Sequence, residues 1–330
     1  MIKQIAEHIM GGEYLAYSEL QSLVRLIRTK EISDLEFVAI LAAMETRNRI
    51  KGINPDECAN LVRALRVPID SDITKILCNA GSGGDKIKTI NVSTSAAVIL
   101  ATAGVNVLKN GYKGVTGKCG SRDLLTEWGI DPFQPLEKVL ESVKRLHIGY
   151  YDFANIIVNE SRSGFRSPLN YIGVLCHPLK LTYKMLGCGD ESYLEIVEPI
   201  VERTCENYLL TYNPDIDEIS SITPTHIREK RNGVKKEYEF NPRRLRLINA
   251  DYNDLLSSKE RSKNASIIIE IFKGKRSPKS ELIAINAGGG LYLAGKAESI
   301  EEGFDQATQI LASGEVFKKL EEWKVFSNER

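Results

Sequence analysis

Apolar residues recur every three to four positions through the first 68 residues, the period of an amphipathic helix. In Tyr17–Thr29 they fall at Leu20, Leu23, Val24 and Ile27, which share one helical face. Ser33–Thr46 repeats the pattern. It opens with Ser33 and carries Glu36 three positions later, a capping box in which each side chain answers the other residue's backbone N–H. Asn54–Leu65 has an Asn cap, Pro55 at its first helical position and acids in its first turn, and Pro68 ends it. No glycine-rich loop or acid pair falls in this stretch. It therefore predicts a helical scaffold or dimerisation module, not a reaction centre.

From Thr74 the pattern changes. Thr74–Asn79 reads as a strand, then comes GSGGD, then an apolar helix over Thr94–Ala103. Val105–Lys109 reads as a second strand, followed by another glycine-rich loop and a helix near Ser121–Glu127. Alternation of this kind predicts an α/β fold with a parallel sheet. Asn207–Tyr212 is a further strand. His226–Arg231 and Val234–Phe240 flank Asn232-Gly233, the signal of a type I′ hairpin turn. Lys263–Phe272 and Ser280–Leu293 read as helices, and Gly288-Gly289-Gly290 inside the second predicts close helix packing. With 330 residues the chain has the length of about two domains, and without a low-complexity linker they are expected to be interwoven.

Composition narrows the function classes. The 44 Lys+Arg balance the 44 Asp+Glu, which argues against a dedicated nucleic-acid binder. The most apolar stretch, Ser95–Leu108, is interrupted by Gly104 and Asn106 and is shorter than the roughly 20 residues of a spanning helix. Lys3, Gln4, Glu7 and His8 deny the N-terminus a signal-peptide core. The six cysteines form no CxxC pair, so a reduced, cytoplasmic protein without a membrane partner is expected.

The densest chemical signal is Gly81-Ser82-Gly83-Gly84-Asp85, followed by Thr89 and Asn91-Val92-Ser93-Thr94. Glycines after a strand let backbone N–H groups approach an anion, and a helix starting near Ser93 adds free N–H groups and a positive dipole end. Lys86 stands where a dinucleotide fingerprint needs its last glycine, and no P-loop sequence occurs. A second loop, Lys109 through Ser121, carries three lysines and also follows a strand. Two such loops on one edge of a parallel sheet would face one crevice and suit a ligand with phosphates at both ends. Asp217-Glu218, just past the strand Asn207–Tyr212, can hold Mg²⁺ together with substrate phosphates. Taken alone, such an acid pair is far more often a solvated loop, and it is the company of the two glycine loops that favours the metal reading.

In this order the motifs resemble the anthranilate phosphoribosyltransferase family: GSGGD with T-x-N-V-S-T, then K-x-G-x-K-x-V-x-x-K-x-G-S-x-D-L-L, then D-E-I-S. Residues 33–66 and 264–320 resemble the family's terminal helices, so the likeness runs through nearly the whole chain. It implies a small helical domain hinged to a larger α/β domain with a mainly parallel central sheet flanked by helices. The first would span 1–70, completed by helices from about 168–192, and the second 71–330. The implied reaction displaces pyrophosphate from 5-phosphoribosyl 1-pyrophosphate (PRPP) by a small aromatic amine, anthranilate in tryptophan biosynthesis, with Mg²⁺ as cofactor and in a homodimer. By the same resemblance Gly81, Gly84, Asp85 and Thr89 line the PRPP site. Asn91, Ser93 and Thr94 bind its phosphates, and Lys109, Lys118 and Ser121 close the second loop over them. Ser93, Asp217 and Glu218 hold the metal, and Arg166 pairs with the acceptor carboxylate, for which a guanidinium fork is the matching partner.

The acceptor side departs from the family. Its K-H-G-N-R run becomes Lys109-Asn110-Gly111-Tyr112-Lys113, which places Asn110 and Tyr112 where a His and an Asn are expected near the acceptor. A His-Pro pair is replaced around Tyr150-Tyr151-Asp152-Phe153, and G-P-L-x-N-P becomes Gly173 through Pro178. Asp152 would repel an anionic acceptor unless it points away. Two alternatives stay open. One is a phosphoribosyltransferase or nucleoside phosphorylase with another acceptor. The other is a non-enzymatic paralogue that binds nucleic acid, motivated by Arg228–Arg246 with eight basic and three acidic residues.

Overall fold

The strand–loop–helix alternation that begins near residue 74 builds one seven-stranded sheet in the order β3-β2-β1-β4-β5-β6-β7. The strands are β1 (Leu77–Gly81), β2 (Val107–Gly111), β3 (Ile148–Asp152), β4 (Leu181–Cys188), β5 (Cys205–Tyr212), β6 (Thr225–Arg231) and β7 (Val234–Phe240). The computed structural model describes residues 2–66, 71–82, 86–111, 120–152, 169 and 172–329. β3 through β5 run parallel, and β6 and β7 are antiparallel. From β1 the chain lays β2 and β3 to one side and then returns to lay β4 and β5 on the other. That reversal makes the C-terminal ends of β1 and β4 the switch point, where open α/β sheets form their ligand crevice.

The helices are α1 (Ile2–Met10), α2 (Tyr17–Arg28), α3 (Asp34–Lys51), α4 (Pro55–Ala64), α5 (Val92–Thr102), α6 (Ser121–Glu127), α7 (Leu136–Leu146), α8 (Glu191–Thr204), α9 (Tyr252–Leu255), α10 (Arg261–Phe272), α11 (Pro278–Leu293), α12 (Ile300–Ala312) and α13 (Glu315–Asn328). The chain divides into two units. One gathers Met1–Ile69, Phe153–Lys180 and Glu195–Thr204, and the other holds Asp70–Asp152, Leu181–Leu194 and Cys205–Arg330.

In the helical unit the caps read from the sequence are present. Glu36 N–H donates to Ser33 Oγ while Glu36 Oε2 accepts from Ser33 N–H, and Asn54 Oδ1 accepts from Asp56 and Glu57 N–H. At its centre lies a buried ion pair that the pattern does not show. Arg47 grips both oxygens of Glu57, donates to Glu13 O and stacks over the Tyr14 ring, while Leu15 N–H donates to Glu57 Oε1.

In the sheet unit α5 is apolar on nearly every side and buried along its length, so it fits only between other elements. The glycines of α11 permit this packing. A Cβ on Gly288 would lie 2.5 Å from Phe304 N in α12, one on Gly289 2.8 Å from Ile219 Cδ1, and one on Gly290 2.7 Å from Leu100 in α5. The hairpin also forms as read: Asn232 and Gly233 take φ of 51° and 80°, as a type I′ turn requires.

Two readings are corrected. The stretch 168–192, expected to supply helices to the first domain, is helical at Leu169, at Ile172 and over the 3-10 turn Gly173–Leu175, but its second part contains β4. Leu181–Cys188 pairs with both β1 and β5, and Thr182, Tyr183 and Lys184 interrupt its apolar run, which hides a central strand from periodicity. β1 starts at Leu77, not Thr74, because Ile76 precedes the parallel ladder with β2 and β4.

Candidate functional site

At the C-terminal edge of the sheet the ends of β1 and β2, the described residues of the loops after β1 and β5 and the first turn of α5 come together, all within the sheet unit. Lys109, near the end of β2, donates from Nζ to Asn79 O at 2.8 Å and to Ser93 Oγ at 3.0 Å. Asn79 in β1 donates from Nδ2 to Ser93 O at 2.7 Å, so β1, β2 and α5 are tied through one serine. Asn79 Oδ1 is buried without a hydrogen-bond partner among the described residues. Burial pulls the Lys109 ammonium down to about 8; the neighbouring Lys184 adds to the effect, while Cys78 and Asp217 oppose it.

The acid pair meets these elements from β5. A Cβ on Gly81 would lie 2.2 Å from Asp217 Oδ2, and one on Gly187 would lie 1.6 Å from Asp217 O. Glycine at the ends of β1 and β4 is what lets the loop carrying Asp217 sit on the strand ends. Thr89 Oγ1 donates to Glu218 Oε1 at 3.0 Å. Asn286 of α11 fixes the next residue, accepting from Ile219 N–H at 3.0 Å and donating to Ile219 O at 2.9 Å.

Thus Gly81, Thr89, Ser93, Lys109, Asp217 and Glu218 are brought to one edge. Asn91 is the residue before α5, and Thr94 is buried in its first turn. Ser121 opens α6, with its Oγ against Gly111. Asn110 lies on the other face of the sheet from Lys109, as strand alternation demands, and its Oδ1 accepts from the Cys78 thiol at 3.1 Å. Gly84, Asp85, Tyr112, Lys118 and Arg166 lie outside the described residues.

Sequence reasoning missed Asn79, Lys184 and Arg122. Asn79 carried a weak signal, a polar residue at the end of an apolar strand. Lys184 gave none; it is buried in β4 opposite Cys78, and its Nζ lies 3.4 Å from Cys78 Sγ. Asp152 is buried and ion-paired with Arg122, so its charge is balanced in place.

The basic hairpin is largely occupied with itself. Arg228 and His226 both contact Glu237, at 3.2 and 3.0 Å, and Arg231 stacks over Tyr292. Glu229 is buried and accepts from the hydroxyls of Tyr238 and Tyr292. Among the described residues no helix is long and apolar enough to cross a membrane.

Residues 74–317 match the family described as "Glycosyl transferase family, a/b domain". The anthranilate phosphoribosyltransferase of Methanobrevibacter smithii is 30% identical over 338 residues, 99% of this chain and 100% of that protein. The chain belongs to the anthranilate phosphoribosyltransferase family.

Solved structures of the family share its fold. The anthranilate phosphoribosyltransferase of Thermus thermophilus superposes with a TM-score of 0.86 at 28% identity, over 98% of this chain and 99% of that one. The Saccharomyces cerevisiae enzyme in complex with PRPP and Mg does so with a TM-score of 0.79 at 20% identity, over 99% and 97%. Within this anthranilate phosphoribosyltransferase-family chain, the groups gathered at the sheet edge are hard oxygens and an ammonium. No set of three or more His, Cys, Asp and Glu suited to a metal occurs among the described residues. Two carboxylates alone fit an ion that brings other oxygen ligands with it, which is how Mg²⁺ binds with phosphates.

Proposed function

We propose that the chain transfers the phosphoribosyl group of PRPP to anthranilate and releases pyrophosphate. The anomeric C–O bond breaks with its electron pair leaving on pyrophosphate, the amino nitrogen forms the new C–N bond, and the amine's surplus proton is lost. The observation that carries the reading is the convergence of Lys109, Ser93, Thr89, Asp217 and Glu218 on the C-terminal ends of β1 and β2. Family membership supplies the substrate pair.

The chain's own groups bind and orient. Lys109 offers positive charge to a phosphate oxygen, and Ser93 and Thr94 offer hydroxyls and backbone N–H groups at the start of α5. In this reading Asn91, Gly81 and Ser121 also serve the phosphoribosyl site, and the family resemblance assigns Gly84, Asp85 and Lys118 to it. Asp217 and Glu218, with Ser93, would hold Mg²⁺, which when bound neutralises the leaving pyrophosphate. Catalysis of this kind is positioning and charge stabilisation, because the leaving group is already good. Every described group in this assignment belongs to the sheet unit. Arg166 would take the acceptor carboxylate. A cytoplasmic homodimer accompanies the reading by family resemblance, and the buried free thiols agree with a reducing compartment.

A second acceptor is favoured by one observation. Asn110, which stands where the family resemblance expects a histidine, has its Oδ1 engaged by the Cys78 thiol of β1. Thermal melting tests the PRPP assignment. PRPP with Mg²⁺ is expected to raise the melting temperature, since a ligand that binds only the folded state stabilises it. No rise at saturating PRPP and Mg²⁺ would remove the assignment.

A further inference from the structure

Arg122, Tyr150 and Asp152 form a connected polar cluster that the reading above leaves without a role. Asp152, the last residue of β3, is fully buried. Arg122 holds both its oxygens, Nε to Oδ2 at 2.6 Å and Nη2 to Oδ1 at 2.5 Å. Tyr150 Oη donates to Asp152 Oδ2 at 3.1 Å. Ser121 and Tyr150 in turn close on Gly111. A Cβ there would sit 2.0 Å from Ser121 Oγ and 3.2 Å from Tyr150 Cε2.

The residue after Arg122 is anchored separately. Asp123 accepts from Gly120 N–H at 2.9 Å and pairs with Arg261 of α10 at 2.8 Å. Consecutive residues of α6 are therefore fixed by ion pairs to two different elements. A bidentate guanidinium–carboxylate pair sets orientation as well as attraction, and a buried one tolerates little displacement.

We propose that Arg122 and Asp152 are positioning residues for the phosphoribosyl site: through Tyr150 they set the Ser121 hydroxyl against Gly111, where the second glycine loop begins. The inference rests on the assignment of Ser121 to PRPP. It also gives the acidic residue at the end of β3 a task other than meeting the acceptor.

Steady-state kinetics with PRPP and anthranilate test it, using Ser121→Ala, the paired change Arg122→Gln with Asp152→Asn, and all three together. The paired change leaves no unmatched buried ion, and its melting temperature checks folding. Ser121→Ala and the paired change are each expected to raise KM for PRPP about fivefold with kcat within about twofold. The triple variant is expected to be no worse than either, because both act through one hydroxyl. Multiplying effects in the triple variant, or a rise in KM for anthranilate alone, would overturn the positioning role while leaving the PRPP reading intact. A wild-type chain without PRPP-dependent turnover would overturn both.

Discussion

The Thr89 hydroxyl donates to Glu218 Oε1 at 3.0 Å and joins the loop after β1 to the loop after β5 across 129 residues of chain. The bond orients a carboxylate whose neighbour, Asp217, rests against Gly81. Replacing both acids, Asp217→Asn with Glu218→Gln, is expected to lower kcat/KM for PRPP about a hundredfold or more and to abolish its dependence on added Mg²⁺. Thr89→Val should cost roughly tenfold or less, the scale of one hydrogen bond. Mg²⁺ titrations of turnover check both, and an unchanged Mg²⁺ response in the double variant would remove the metal assignment.

Gly187 tests whether the Asp217 loop must sit on the strand ends. Its Cβ would meet Asp217 O at 1.6 Å, a backbone atom with no rotamer to escape through. Gly187→Ala is expected to cost roughly 1–3 kcal/mol in urea unfolding and to raise the Mg²⁺ concentration for half-maximal activity. Wild-type values for both would show that the loop can move without consequence.

Lys109 gives the site a pH limb. Burial lowers its ammonium from 10.5 to about 8. The unfolded chain binds the extra proton between those values, so this group opposes folding most below about pH 8 and that cost is relieved as pH rises through the window. Phosphate binding needs the opposite state, the charged one. The expected result is a fall in kcat/KM for PRPP above about pH 8 that is absent in Lys109→Arg, whose guanidinium stays charged. A wild-type limb retained in Lys109→Arg assigns the titration elsewhere.

The Arg47–Glu57 pair predicts a stability effect in the helical unit. Glu57→Ala leaves a buried guanidinium without its carboxylate and strips the acceptor from Leu15 N–H. The expected loss is about 3–5 kcal/mol in denaturant unfolding, with Arg47→Met and Glu57→Leu together losing much less. Equal losses in both variants would mean that packing, not charge, sets the cost.

Local signals were legible where one residue type forces one geometry. Asn232-Gly233 gave the hairpin, Ser33 and Glu36 gave a helix start, and the second glycine loop ended in a helix over Ser121–Glu127 as read. The glycines at 81 and 111 marked strand ends that another element must approach. What stayed hidden depends on partners distant in sequence. Lys184 reads as surface until β1 brings Cys78 beside it. Asp152 reads as a repulsive charge until Arg122, 30 residues earlier, neutralises it. β4 escaped because Tyr183 and Lys184 interrupt an apolar run that the sheet buries all the same.

Anthranilate-dependent release of pyrophosphate from PRPP in the presence of Mg²⁺ tests the central claim most directly. The account predicts release that requires all three components and yields the phosphoribosyl adduct of anthranilate in equal amount. Release with a different aromatic amine or nucleobase but not with anthranilate would contradict the acceptor assignment, and no release with any acceptor would contradict the transferase reading itself.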